Sequence, residues 1–266
     1  MNGLALYWRF IGVSLRSEML YPTAFLLRLG SQFFVTIIEF GGVWVLFQRF
    51  SHVRGWAFAQ VAVFYGVASI AFAIADGLSR GFDTVGPLLI KTGNFDRILL
   101  RPRSSALQIT GRDFALSSAG RLVQGVFGLG IAVWLLRPDW GVAQWLILAW
   151  SIAGGASLFF ALKTLEGTLA FWTTEGLEVA NTLTYGGEAA AQYPLDIYAS
   201  WFRKFLIYFV PIGCSLYFPV AFVLGHDAPG VPPWLAILAP ATGWLFLFVA
   251  LAAWRGGIQH YTSTGS

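Results

Sequence analysis

The residues of this chain that could do chemistry fall into two groups. The first is Glu39 with Gln32 about two helical turns before it, both inside a long apolar run. A carboxylate at that depth is costly and marks a functional position by default. It can face a transport path, pair with a second subunit or bind a cation. A structural hydrogen bond to a neighbouring helix is the reading the sequence favours. The second group is the run GNFDRILLRPRS, Gly93 to Ser104. Here Arg97 and Arg101, four apart, share one helical face and suit acidic groups of a partner, while Leu99 and Leu100 supply apolar anchors. Asp96 suits either a helix cap or a salt bridge to that partner, and Pro102 fixes the exit from the turn.

The sets that catalysis needs are missing. The chain has no Ser–His–Asp set, no H-E-x-x-H run and no G-x-S-x-G elbow, so no catalytic residue is assigned. It has no G-x-x-x-x-G-K-[ST] loop with which to bind ATP. Cys214 is the single cysteine, and His52, His226 and His260 lack ligand spacing, which leaves no metal site.

The elements that hold these groups are built for lipid. Of 266 residues, 57% are hydrophobic and 11% charged, with a net charge of +4, against about 25% charge in a soluble domain. The basic excess reads as membrane topology and headgroup contact, not nucleic-acid binding. Six stretches reach the roughly 20 apolar residues that a bilayer core demands: 24–47, 56–75, 114–136, 142–162, 205–224 and 234–253. The sequence therefore predicts an all-α polytopic membrane protein of six transmembrane helices. Residues 1–22 alternate apolar and basic faces and read as a helix lying in the interface. Residues 77–113 form a charged insert between spans two and three. Two short amphipathic turns, Val85/Leu88/Leu89 and Phe95/Ile98/Leu99, would lie flat under the membrane there, joined at Gly93. Residues 173–204 carry Glu175, Glu178, Glu188 and Asp196 and read as a helix and turn outside the hydrocarbon. The tail GGIQHYTSTGS reads as loose.

Lys and Arg are concentrated on one set of loops, which places both termini in the cytoplasm. Of the charges within or near spans, Arg28 can snorkel, Lys163 and Glu166 are spaced to pair on one face, and Arg121 can meet Asp113 or a headgroup. Small residues Ala68, Ala71, Ala75, Ser151 and Gly155, and the glycines of GVFGLG from Gly125, suit close helix packing.

Taken in order, these features resemble a known family. Gly93, Asp96, Leu99, Leu100, Arg101 and Pro102 match the cytoplasmic coupling segment of bacterial type-2 ABC transporter permeases. The later run YPLDIY, Tyr193 to Tyr198, followed by Arg203 and FLIYFVPIGCSLYFPVAFVLG, resembles an exporter-like subgroup. The resemblance implies a single permease domain over 1–266 in a bacterial inner membrane. It implies a separate ATP-binding cassette ATPase that binds ATP and Mg, a second permease (a copy or a homologue), contact with membrane lipid, no partner among nucleic acids and no cofactor in this chain. It also implies alternating access driven by the ATPase through Gly93, Asp96, Arg97, Leu99, Leu100, Arg101 and Pro102. The alternatives are an ion-driven secondary transporter with Glu39 as the coupling carboxylate, a lipid-modifying membrane enzyme, and a non-transporting anchor or sensor.

Overall fold

The computed structural model describes residues 12, 20, 22–49, 52–112, 117–173, 177–226 and 231–263. Among these, helix dominates, and the one extended pairing is an isolated bridge between Val53 and Trp56. The protein is an all-α polytopic membrane protein. The reason is physical: lipid offers no partner to a backbone N–H or C=O, so a spanning segment must satisfy them internally.

Helix α1 (Pro22–Arg49) covers the first apolar stretch. Proline at its start sits where the missing N–H has no helical partner to lose. The interfacial helix expected over 1–22 lies outside the described residues except at 12, 20 and 22. Helix α2 (Phe58–Ser79) opens on Gln60, whose side-chain oxygen accepts the Ala57 N–H (3.0 Å). It does not stop at the expected boundary. A 3₁₀ turn (Arg80–Thr84) and a π turn (Val85–Ile90) extend it, so Phe58–Ile90 is one helical unit of 33 residues. The Val85/Leu88/Leu89 stripe is therefore the end of this long helix rather than a separate turn lying flat.

The chain then reverses at Gly93, whose φ of +68° lies in the left-handed region that suits glycine. Helix α3 (Phe95–Leu99) and helix α4 (Ser105–Arg112) follow, separated at Pro102. Helices α5 (Ser117–Leu136) and α6 (Val142–Leu169) run out and back, and α7 (Leu177–Ala191) packs against α6.

The fifth apolar stretch is not one straight span. Helix α8 (Ser200–Lys204) and the π turn after it end at Phe209; a second piece runs from Gly213 through helix α9 (Phe218–Val223), and the two are bent by 87°. Pro211 lies in the break and removes a donor from the helical ladder. The last stretch is also divided, into α10 (Pro233–Leu238) and α11 (Ala241–Ile258) at Pro240. Among the described residues, four helices are long and apolar enough to cross a membrane, or five if the bent pair counts as one span.

The bundle closes on small residues. A Cβ on Gly66 would lie 2.7 Å from Leu129 Cβ, and one on Gly125 2.9 Å from Ile70, so α2 and α5 meet nearly backbone to backbone. On the other side, a Cβ on Gly243 would reach 2.0 Å from the Gly154 carbonyl oxygen, which fixes α11 against α6. With no hydrophobic drive between helices in lipid, such close approach is what holds spans together. Gly130, expected to share this role, faces open space instead.

Candidate functional site

The site is assembled at the end of the bundle where α2 runs on to Ile90. Its deepest part is a charge cluster. Lys163 of α6 is fully buried and donates to Asp83 Oδ2 (2.7 Å), and its Nζ lies 2.8 Å from Asp76 Oδ1. Asp76 and Asp83 are seven apart along the α2 extension, two helical turns, and so face the same neighbour. Ser118 of α5 donates to Asp76 Oδ2 (2.6 Å), and Arg80 approaches it at 3.9 Å. The ammonium also lies over the rings of Phe72 and Tyr185. One lysine thus ties α6 to two turns of the segment that leads into the insert.

This corrects the expected Lys163–Glu166 pair. Glu166 is buried, but Lys163 turns instead to two carboxylates eighty and more residues earlier. Arg121 sits 3.6 Å from Glu188 of α7, with its guanidinium 4.9 Å over Phe72, while Asp113, named as its expected partner, lies outside the described residues. Sequence reasoning missed this cluster. The available signal was an Asp–Asp pair at i, i+7 near a helix end, with a lone lysine in another span.

Above the charges lies an aromatic platform. Phe82 and Phe95 are buried, as is Trp254 of α11, with ring centroids 5.1 Å (Phe82–Trp254) and 6.2 Å (Phe95–Trp254) apart. Phe171 stands 5.1 Å from Trp254. Val85, Leu89, Ile90, Ile98, Ile109 and Ala170 belong to the same cluster. The indole N–H of Trp254 donates to Ser105 Oγ (3.1 Å), satisfying the polar handle of a buried ring. A Cβ on Gly81 would strike the Ile109 carbonyl oxygen at 2.0 Å, so α4 lies directly on the α2 extension. Gln108 donates to the Ile98 and Arg103 carbonyls (3.1 and 3.2 Å), stapling α3 to α4.

The tail also belongs to this assembly and, through residue 263, is not loose. Tyr261 packs edge-on against Phe95 (4.9 Å), and Ser263 donates to Asp96 Oδ2 (2.7 Å). Burial first, then the neighbouring Asp96 carboxylate, raises the Tyr261 hydroxyl above its ordinary pKa. Asp96 therefore serves the chain's own tail.

What remains outward is narrow. Leu100 is 84% exposed and Leu99 43%; Arg97, Arg101 and Pro102 are exposed. Arg97, Leu100 and Arg101 follow i, i+3, i+4 spacing, while Phe95 and Ile98 of the same short helix point into the platform. The structure thus brings Arg97, Leu99, Leu100 and Arg101 to one surface, with Gly93 making the turn before it. Glu39 and Gln32 lie in α1, but their side chains, like that of Arg28, are outside the described residues.

Elsewhere, YPLDIY forms a 3₁₀ turn (Leu195–Ile197) whose Asp196 accepts from Tyr217 Oη (2.5 Å) and pairs with Arg203 (3.3 Å). At the other end of α2, the Gln60 amide meets His226 Nε2 (2.9 Å), whose ring stacks on Trp56 at 3.9 Å. Among the described residues no three His, Cys, Asp or Glu side chains are placed to hold one metal ion.

A family model described as ABC-2 family transporter protein matches residues 33–265. No curated protein and no solved structure matches the chain.

Proposed function

The chain belongs to the ABC-2 family of transporters and is a permease component of an ABC transporter; from that premise we propose that α3 is the element through which a separate ATPase drives it. The observation that supports this is the split character of α3. One side, Phe95 and Ile98, is buried against the α2 extension and α11, and the other offers Leu100 between two arginines. An exposed leucine flanked by cations suits an apolar socket rimmed by carboxylates. The platform and the Lys163 cluster join α3 to α2, α6 and α11. A push on α3 would reach three membrane helices without a flexible joint, which suits a two-state change of the bundle.

In this reading ATP and Mg are bound by the partner ATPase. The permease works beside a second permease, a copy or a homologue. Both termini and residues 77–113 lie in the cytoplasm of a bacterial cell, whose inner membrane holds six spans, and the direction is export. Short outer connections and an apolar interior support export of an amphipathic or hydrophobic molecule over capture of a polar one.

The test is co-purification with ATP-binding subunits, wild type beside Leu100→Asp/Arg101→Glu. Both positions are exposed, so the variant is expected to insert and remain monodisperse. Loss of an apolar anchor and reversal of a charge at a docking centre each weaken binding by about 2 kcal/mol, so recovery of the ATPase should fall at least about tenfold. Recovery at the wild-type level would contradict the assignment. Asp96 is omitted because its substitution would also release the tail.

A further inference from the structure

We propose that His226 is an acid-released latch between the start of α2 and the end of α9. Backbone fixes both sides of it. Gly225, with a φ of +74°, closes α9 by donating to the Phe222 carbonyl (3.1 Å), and the His226 N–H reaches the Ala221 carbonyl (2.9 Å). This pair of bonds is a glycine-ended helix stop, and it sets where the imidazole stands. Opposite, Trp56 is buried, paired to Val53 by two backbone bonds (3.0 and 3.1 Å) and packed on Phe64 and Tyr217. The imidazole stacks on this indole, with ring centroids 3.9 Å apart.

The polar contact decides which nitrogen carries the proton. The Gln60 amide oxygen accepts the Ala57 N–H that opens α2 (3.0 Å), so the amide nitrogen is what faces His226 Nε2 (2.9 Å). An amide nitrogen only donates. Nε2 is therefore the bare acceptor, and the proton of the neutral ring sits on Nδ1. A second proton has only Nε2 to go to, where it meets the Gln60 donor. Turning the amide to offer its oxygen would set its nitrogen against the Ala57 N–H instead. One amide cannot both cap α2 and accept from an imidazolium, so protonation gives up one of the two bonds. Attraction of the cation to the indole face opposes this, but it is weaker than leaving two donors pointed at each other.

No ion pair reaches the ring among the described residues. The ionisable groups of the elements around it are His52 and Arg54, both exposed, and Tyr217, which packs on Trp56. Gln60 and Asp76 are sixteen residues apart on α2, about 24 Å, so the latch stands at the end away from α3 and works without an ATPase. Histidine changes charge between about pH 5 and 8. A fall in pH at that end would free α9 from α2 while the Asp76 end stays held by Lys163.

Hydrogen exchange of the whole chain in detergent, read over residues 53–61 and 219–226 and corrected for intrinsic rates, tests this between about pH 7.5 and 5.5. In wild type at least one of the two segments should exchange about three- to fivefold faster at the lower pH, the effect of one lost hydrogen bond, with α6 unchanged. His226→Phe keeps a ring on Trp56 that takes no proton, and should show no such change. Gln60→Glu keeps one oxygen for Ala57 and offers the other to the imidazolium, so the sign should reverse, with slower exchange at the lower pH. Asp227→Asn, at a position outside the described residues, should behave as wild type. Wild-type exchange that does not respond to pH would overturn the proposal. So would acid loosening that survives His226→Phe or Gln60→Glu, or that disappears in Asp227→Asn.

Discussion

Lys163→Met should lower stability by about 3–5 kcal/mol, the cost of removing one partner from a buried ion pair. Lys163 is fully buried and is the cation within 3 Å of both Asp76 and Asp83. Without it Asp76 keeps Ser118 (2.6 Å) and the more distant Arg80, whereas Asp83 loses its closest cation. The damage should therefore concentrate at Arg80–Ile90, seen as faster hydrogen exchange there and a lowered melting midpoint in detergent. Replacing all three together should do less harm. Asp76→Leu/Asp83→Leu/Lys163→Met removes the cation together with both carboxylates it holds, and well-packed apolar replacements of buried ion pairs are often neutral or stabilising, so its midpoint should recover most of the loss. A single variant as stable as wild type would show that the cluster does not hold the α2 extension to α6.

Trp254→Ala should cost about 3–5 kcal/mol by cavity formation and should uncouple α3 from the spans. The indole touches Phe82, Phe95 and Phe171 and bonds Ser105. It is a ring contact of α11 with both the α2 extension and α3. Exchange should rise over residues 93–112 while α5 stays protected. Trp254→Phe keeps most of the ring packing and loses one hydrogen bond, about 1 kcal/mol, so it should retain most of the protection. If both variants protect 93–112 equally, the platform does not position α3.

Much of the fold was legible because lipid imposes simple rules. Composition and apolar run length point to an all-α membrane protein, and the described part of each apolar stretch is mainly helical, with breaks at 210–211 and 239–240. The breaks were harder. Hydropathy averages over side chains and is blind to the backbone, so 205–224 read as one span although Pro211 opens a bend of 87°. The end of α2 is hidden for a related reason: the charges from Arg80 onward read as an insert between spans, but Arg80 pairs with Asp76, and Asp76 and Asp83 are held by Lys163.

Pairings were legible only when local. Lys163 and Glu166 are neighbours in sequence, whereas Asp83 lies 80 residues from Lys163, and no spacing rule reaches that far. Arg121 with Glu188 is a similar case. The GNFDRILLRPRS run was visible as a motif, but which side of α3 is free was not, because burial of Phe95 and Ile98 depends on Trp254 and Tyr261 arriving from the other end of the chain.

The central claim, that α3 is the surface on which an ATPase acts, is met most directly by placing a photo-crosslinking amino acid at Leu100 and, as a control, at Val123 on the exposed face of α5. With the ATP-binding subunit present, Leu100 should give a defined cross-linked product whose yield changes between nucleotide-free and ATP-bound states, and Val123 should give none. Absence of a product at Leu100 from a complex that still forms would show that the ATPase docks elsewhere and that α3 is not its lever.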